Sequence, residues 1–162
     1  MAAVDFFLKI DGIPGESKDS KLKDHIQVES WSWGESNTGS NAVGGGGGGG
    51  RVSMQDFHFT MLMNKASPKL MRACAAGDHI KEAKLICRKA GGEQLEYLHI
   101  TLSDLLVSSY QTGGSSGSGV LPIDQVSLNF TKIKVEYKEQ NETGKLGGGI
   151  VGGYDLKAGK AL

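Results

Sequence analysis

Two short β-rich segments flank a run of seven consecutive glycines, and this juxtaposition limits what the chain can build. Residues 26–33 (Ile-Gln-Val-Glu-Ser-Trp-Ser-Trp) read as a strand, and residues 52–60 (Val-Ser-Met-Gln-Asp-Phe-His-Phe-Thr) as another. Residues 34–51 lie between them and include the glycine run 44–50. A tract of this composition ordinarily links separate domains. Neither flank can form a core alone, so both are assigned to one sheet and the tract becomes an insert within a single domain, residues 1–162. Structureless loops of this length in a compact domain are usually functional or disordered. The segment 34–51 is therefore predicted to be an arm that leaves the domain and docks on something else.

Charge and termini narrow the functional classes. Lys plus Arg equals Asp plus Glu, 18 of each, so nothing in the balance favours nucleic acid or an anionic membrane. A net charge near zero also weakens self-repulsion, which suits self-association. Two cysteines, Cys74 and Cys87, cannot supply a disulfide framework and read as small core residues. Residues 1–10 are apolar but interrupted by Asp5 and Lys9, with no basic leader or small-residue cleavage site. No signal peptide and no membrane insertion are expected, and the protein should be made in a reducing cytosol. Export by a leaderless route stays open.

Along the chain, alternation over 4–10 gives a half-buried strand. Residues 26–33 place Ile26 and Val28 on one face but Trp31 and Trp33 on the other, and residues 52–60 switch in the same way. Such a phase change means a bulge, or a strand apolar on both sides. The one helix is bounded by Ser67 as N-cap, Pro68 at N1 and Gly77 past its end. Strands follow at 81–89, 94–102 and 105–111, the first two joined by a hairpin at 90–93. A Thr/Gly/Ser patch at 112–119 precedes a long strand, 126–137, that changes phase between Phe130 and Ile133. A short strand at 154–157 ends the pattern. About eight strands and a single helix imply an all-β barrel or sandwich. Strands apolar on both faces need cover on both, which points to an obligate homo-oligomer.

Chemical motifs are sparse. The glycine run fits a dinucleotide fingerprint trivially, but Arg51-Val52 and a strand follow it instead of Lys, Ser or Thr and a helix. His25, His58, His79 and His99 are scattered, without metal-ligand spacing. Ser53, Asp56 and His58 fail as a triad, because Ser53 points away from the face the other two share. No catalytic residue, metal site or cofactor site is nominated, and an enzyme is not expected.

Several ordered motifs resemble one family. They include Phe6-Phe7-Leu8-Lys9-Ile10-Asp11-Gly12-Ile13, Trp31-Ser32-Trp33-Gly34, and Asp56-Phe57-His58-Phe59-Thr60. Ser67-Pro68-Lys69-Leu70-Met71, Arg88-Lys89-Ala90-Gly91-Gly92, Leu105-Leu106-Val107-Ser108-Ser109 and Val126-Ser127-Leu128-Asn129-Phe130 complete the pattern. Together these resemble the haemolysin-coregulated protein (Hcp) family, the tube subunit of bacterial type VI secretion. The resemblance implies a mainly β fold, a curved barrel with one flanking helix, assembled as six-membered rings that stack into a tube. It further implies contact with sheath, spike and effector proteins, small effectors held in the ring lumen, and secretion from the bacterial cytoplasm without a signal peptide. A free-standing β-barrel binding module for a small ligand is the alternative of another class.

Two sets of site residues follow. Ser30 and Ser32 alternate with Trp31 and Trp33; burying the tryptophans is the larger gain, so the serines should face the channel as cargo contacts. Simple solvation of both serines is the plainer alternative. Ring-stacking or subunit contacts are expected at Gly44, Gly47 and Gly50 in the arm, at Gly91 and Gly92 in the hairpin, and at Tyr154 and Lys157 near the end. Whether the arm acts within or between rings is left open by the sequence.

Overall fold

A computed structural model describes residues 4–39, 51–89, 93–117, 119–140 and 144–162. Its strands are β1 Val4–Ile10, β2 Ile26–Val28, β3 Ser30–Ser32, β4 Glu35–Asn37, β5 Val52–Met54, β6 Phe57–Leu62, β7 Ile80–Lys89, β8 Glu96–Gly113, β9 Ile123–Gln140, β10 Leu146–Asp155 and β11 Lys160–Ala161. One helix, α1 Ser67–Ala76, lies between β6 and β7. Seven strands run in the order β11-β10-β9-β8-β7-β1-β2, while β6 pairs with β9 and carries β3 on its other side. This sheet curls around a core that includes Leu8, Ile26, Phe57, Phe59, Met61, Leu70, Leu85 and Leu102. The fold is mainly β, as expected, with the end strands β2 and β11 unpaired with each other among the described residues.

The predicted strands 26–33 and 52–60 are each two strands. Glu29 separates β2 from β3 and turns its N–H to the Thr60 carbonyl, while Gln55 and Asp56 separate β5 from β6. Each break resets the alternation, so Ile26 and Val28 lie buried and Trp31 and Trp33 pack against the same core. Trp31 stacks on Phe57 with centroids 6.0 Å apart and meets Phe6 edge-on at 6.2 Å. The apolar residues therefore serve one core, and the two-sided reading of these strands is corrected.

A second correction concerns β8, which runs unbroken through the predicted gap at 103–104. Asp104 takes a left-handed φ of 49° between the cross-strand pairs Ser103–Lys132 and Leu105–Phe130. Core positions change phase on this line in three adjacent strands: from Ile80 to Ala83, from Leu102 to Leu105 and from Phe130 to Ile133. The sheet bends there, and β9 exchanges partners, pairing with β6 before the line and with β10 beyond it. The strand predicted at 154–157 is the end of β10, which starts at Leu146 because glycine hides its alternation and stops at Asp155, leaving Leu156 and Lys157 in the turn to β11.

Helix α1 is capped differently from the sequence pattern. Ala66 occupies the N-cap without a side-chain bond, and Ser67 is already helical. Its hydroxyl accepts the Asn64 N–H at 3.0 Å and donates to the buried Asp124 carboxylate at 2.5 Å. Gly77 closes the helix with φ 65°, the conformation for which glycine has no Cβ penalty. On the far face of β1 and β7, Phe7, Ile86 and Leu22 form a small second core. Arg88 lies over the Phe7 ring at 4.6 Å and bonds Asp19, pinning the loop between β1 and β2 across the sheet.

Candidate functional site

The exposed face of β3, β6, β9 and β8 is the surface to which the sequence assigned cargo. Ser30 and Ser32 are exposed on it, while Trp31 between them is half-buried in the core. Strand register extends the serines into two transverse rows. One row is Ser32, His58, Ser127 and Ser109; the other is Ser30, Thr60, Gln125 and Gln111. None of these eight side chains is a carboxylate, ammonium or guanidinium. Ser30 and Thr60 share a hydroxyl–hydroxyl bond of 2.6 Å, and His58 Nδ1 lies 3.1 Å from the Ser127 hydroxyl. At the border, Asp56 accepts bonds from Ser108 at 2.6 Å and Asn129 at 2.9 Å. The face can therefore donate and accept hydrogen bonds without exerting a strong field.

Sequence reasoning found only the two serines of these rows. Period-two alternation in Phe57–Leu62 already puts His58 and Thr60 opposite the phenylalanines. Gln125, Ser127, Ser109 and Gln111 join them through long-range pairing, which a local pattern does not carry.

Both margins of this face have strand edges that no other described strand covers. β3 pairs with β6 alone. Register between β7 and β8 ends at Ile80–Leu105, so the stretch of β8 from Leu106 to Gly113 has a partner only in β9. An uncovered edge presents unpaired N–H and C=O groups to any chain that can supply a strand.

The arm leaves from beside this face. β4 and β5 continue the β3–β6 pairing as a separate two-stranded ribbon, joined to it where the Gln55 N–H meets the Gly34 carbonyl at 2.9 Å. Gly44, Gly47 and Gly50 lie outside the described residues, as do Gly91 and Gly92. Tyr154 pairs with Ile133 and Ala161 in β10, and Lys157 follows in the turn to β11. Asp155 fixes that turn by accepting the N–H groups of Ala158 at 3.0 Å and Lys157 at 2.9 Å. These bonds, the Ala158 N–H above all, hold its carboxyl below the usual carboxylate range. Arg51 and Val52 at the root of the arm share a cleft with Tyr154 and Lys157, so the structure brings one predicted contact site beside the arm.

Among the described residues no cluster of His, Cys, Asp or Glu is arranged to hold a metal, and no helix is long and apolar enough to cross a membrane. Comparison with known proteins decides the family. The model of the family described as "Type VI secretion system effector, Hcp" matches residues 7–137. The chain belongs to the Hcp family. It is 49% identical over 157 residues to protein hcp1 of Pseudomonas aeruginosa, covering 96% of each chain. The crystal structure of Hcp1 from Salmonella typhimurium is 40% identical, with a TM-score of 0.82 over 99% of this chain and all of that one. A structure described as a type six secretion system protein is 30% identical, with a TM-score of 0.92 and the same coverage. The family expected from the sequence motifs is thus the family found.

Proposed function

We propose that this chain is a structural subunit of the type VI secretion tube. Six copies form a ring, rings stack into a tube, and the tube is secreted from the bacterial cytoplasm by type VI secretion, carrying small effectors in its lumen. Residues 1–162 act as one subunit domain with residues 34–51 as its arm, and the role is assembly and transport, not catalysis. Sheath, spike and effector proteins are the partners.

The observation that carries this reading is the uncharged face bounded by two uncovered strand edges. If β3 of one copy pairs with Leu106–Gly113 of the next, the edges are satisfied head-to-tail and the polar faces join into one continuous wall. Such contacts close a ring when the rotation between copies divides the circle. Serine, threonine, glutamine and histidine then line the wall, and short hydroxyl side chains leave room for a protein guest. Weak contacts repeated around the ring add up through avidity.

Analytical ultracentrifugation at micromolar protein tests the assembly. A species of six subunits is expected. A monomer or dimer as the only species would refute the tube reading.

A further inference from the structure

We propose that the exposed face of α1 docks a partner protein through an acidic segment that also carries an aliphatic side chain. The inference deepens the tube reading above by giving the chemistry of one protein that the subunit meets, on a different element from the uncharged face. Three observations carry it.

First, the charge is one-sided. Residues 65–77 hold Lys65, Lys69 and Arg72 and no acid, in a chain whose charges balance. All three side chains are exposed, and none is in an ion pair among the described residues. Two carboxylates reach this end of the helix, but both are spent on other groups. Glu16 accepts the Lys65 N–H at 3.1 Å, and the buried Asp124 accepts the Ser67 hydroxyl at 2.5 Å. Second, the arrangement costs the helix stability. Helices favour acids in the first turn and cations in the last. α1 has neither, while Lys69 occupies its first turn and Asp78 follows Gly77 at its end. Lys69 and Arg72, three residues apart, are neighbours on the helix surface and repel each other. Carboxylates from a partner turn that repulsion into attraction.

Third, the exposed face has the shape of a docking strip. Leu70 and Ala73 are buried and Cys74 is partly so, which commits the apolar stripe of α1 to its own core. On the opposite side, helical spacing sets Pro68 and Ala75 between Met71 on one margin and Arg72 and Lys69 on the other. Met71 is 52% exposed. The short side chains between the margins let another main chain approach closely, with an apolar contact on one side of it and cations on the other. A membrane is a poorer fit, because helices that lie on lipid turn a continuous apolar face towards it. Nucleic acid is also a poorer fit, since its affinity grows with the number of phosphates neutralised and this face offers few cations beside Asp78. An acidic protein segment matches both margins.

Lys69→Glu combined with Arg72→Glu separates docking from folding. The first change puts an acid in the first turn, so the double variant should melt at or above the wild-type temperature and keep wild-type ring mass in ultracentrifugation. The probe is a glutamate-rich synthetic peptide with leucines at helical spacing, labelled for fluorescence anisotropy. Wild-type protein should bind it, less tightly as salt rises, and the double variant should bind at least tenfold more weakly. Met71→Ser leaves the charge untouched and should also weaken binding, by at least threefold. No binding by the wild type, or equal binding by the double variant, overturns the inference. Undiminished binding by Met71→Ser overturns it too, because the attraction is then charge without a docked surface. Vesicles of anionic phospholipid that bind the wild type more tightly than the peptide assign the face to a membrane and likewise overturn it. Loss of the ring in the double variant alone puts α1 between copies, which overturns the inference and leaves the ring reading standing. A wild type that binds the peptide through Lys69 and Arg72 yet never forms a ring supports the docking face and fails the ring reading alone.

Discussion

Arg88 shows how one side chain can hold a layer of this protein in place. It is 3% exposed, its ring partner is Phe7, and its guanidinium donates to the Asp19 carboxylate. Asp19 also accepts the N–H groups of Lys21 and Leu22, so the bond reaches a turn of the overlying loop. The guanidinium, aided by the Lys21 N–H, holds the Asp19 carboxyl far below the usual carboxylate range. Arg88→Ala should cost about 1.5–3 kcal/mol in chemical denaturation, because it removes a charge-assisted hydrogen bond and the packing over Phe7, while the partly exposed Asp19 carboxylate keeps two backbone N–H bonds and reaches water. A loss under 1 kcal/mol would show that the layer holds without the pair. The pH dependence has a definite sign. A depressed folded-state pKa gives stability that is fully present above about pH 4, the unfolded value, and declines as pH falls towards the folded one. The wild-type advantage over Asp19→Asn should therefore be largest at pH 7 and shrink by pH 2.5; an equal advantage at both would count against the pair. The cysteines differ in the same local way. Burial pushes the Cys87 thiol up to about 12, whereas Cys74 is only partly covered on α1. A thiol reagent at pH 8 should label Cys74 in the native protein and reach Cys87 only after unfolding, and prompt labelling of both would contradict the packing of β7.

At the scale of elements, strand breaks matter more than strand lengths. Glu29, the Gln55–Asp56 pair and Asp104 each reset an alternation, and each reset turns apolar residues back to one core. The alternation itself is written in the sequence, as Val-Asp-Phe-Phe-Leu-Lys-Ile in β1 and Phe-His-Phe-Thr-Met-Leu in β6 show. So is the end of α1 at Gly77. A phase change is legible too, but whether it is a bulge or a two-faced strand depends on hydrogen bonds made far along the chain, such as Glu29 to Thr60. Ser67 misleads for a related reason: its partner, Asp124, is 57 residues away. In β10 the glycines remove the side chains on which a period could be read. The arm is also an element with a clear test. Since β4 and β5 already form a paired ribbon, replacing residues 44–50 with a two-residue turn should spare the ring. Tube formation should fall if the arm acts between rings. Tubes of equal number and length in electron micrographs would place the arm's role elsewhere.

For the whole molecule, the decisive property is a separation of surfaces. The face built on β3, β6, β9 and β8 is hydroxyl, amide and imidazole, whereas the opposite end of the sheet brings Lys9, Lys84 and Lys134 onto β1, β7 and β9 in register with Thr101. A guest protein that must be held and later released needs contacts that are numerous and individually weak. Buried charge pairs are poorly suited to that, because breaking one leaves a large desolvation penalty on each partner. Neutral hydrogen bonds are exchanged for water at about 0.5–1.5 kcal/mol each, and repetition around a ring multiplies them. Ser32 lies beside His58 at the β3 end of the row that continues to Ser127, while Ser30 is tied to Thr60. A longer amide at either position would crowd the guest without introducing charge or disturbing Trp31. Ser32→Gln and Ser30→Gln should therefore leave ring mass and melting temperature unchanged and lower the amount of a small effector that co-purifies with the ring. The expected order is Ser32→Gln the more damaging, since Ser30 already spends its hydroxyl on Thr60. Wild-type effector loading in both variants would show that these serines are only solvated and that the guest is held elsewhere in the ring.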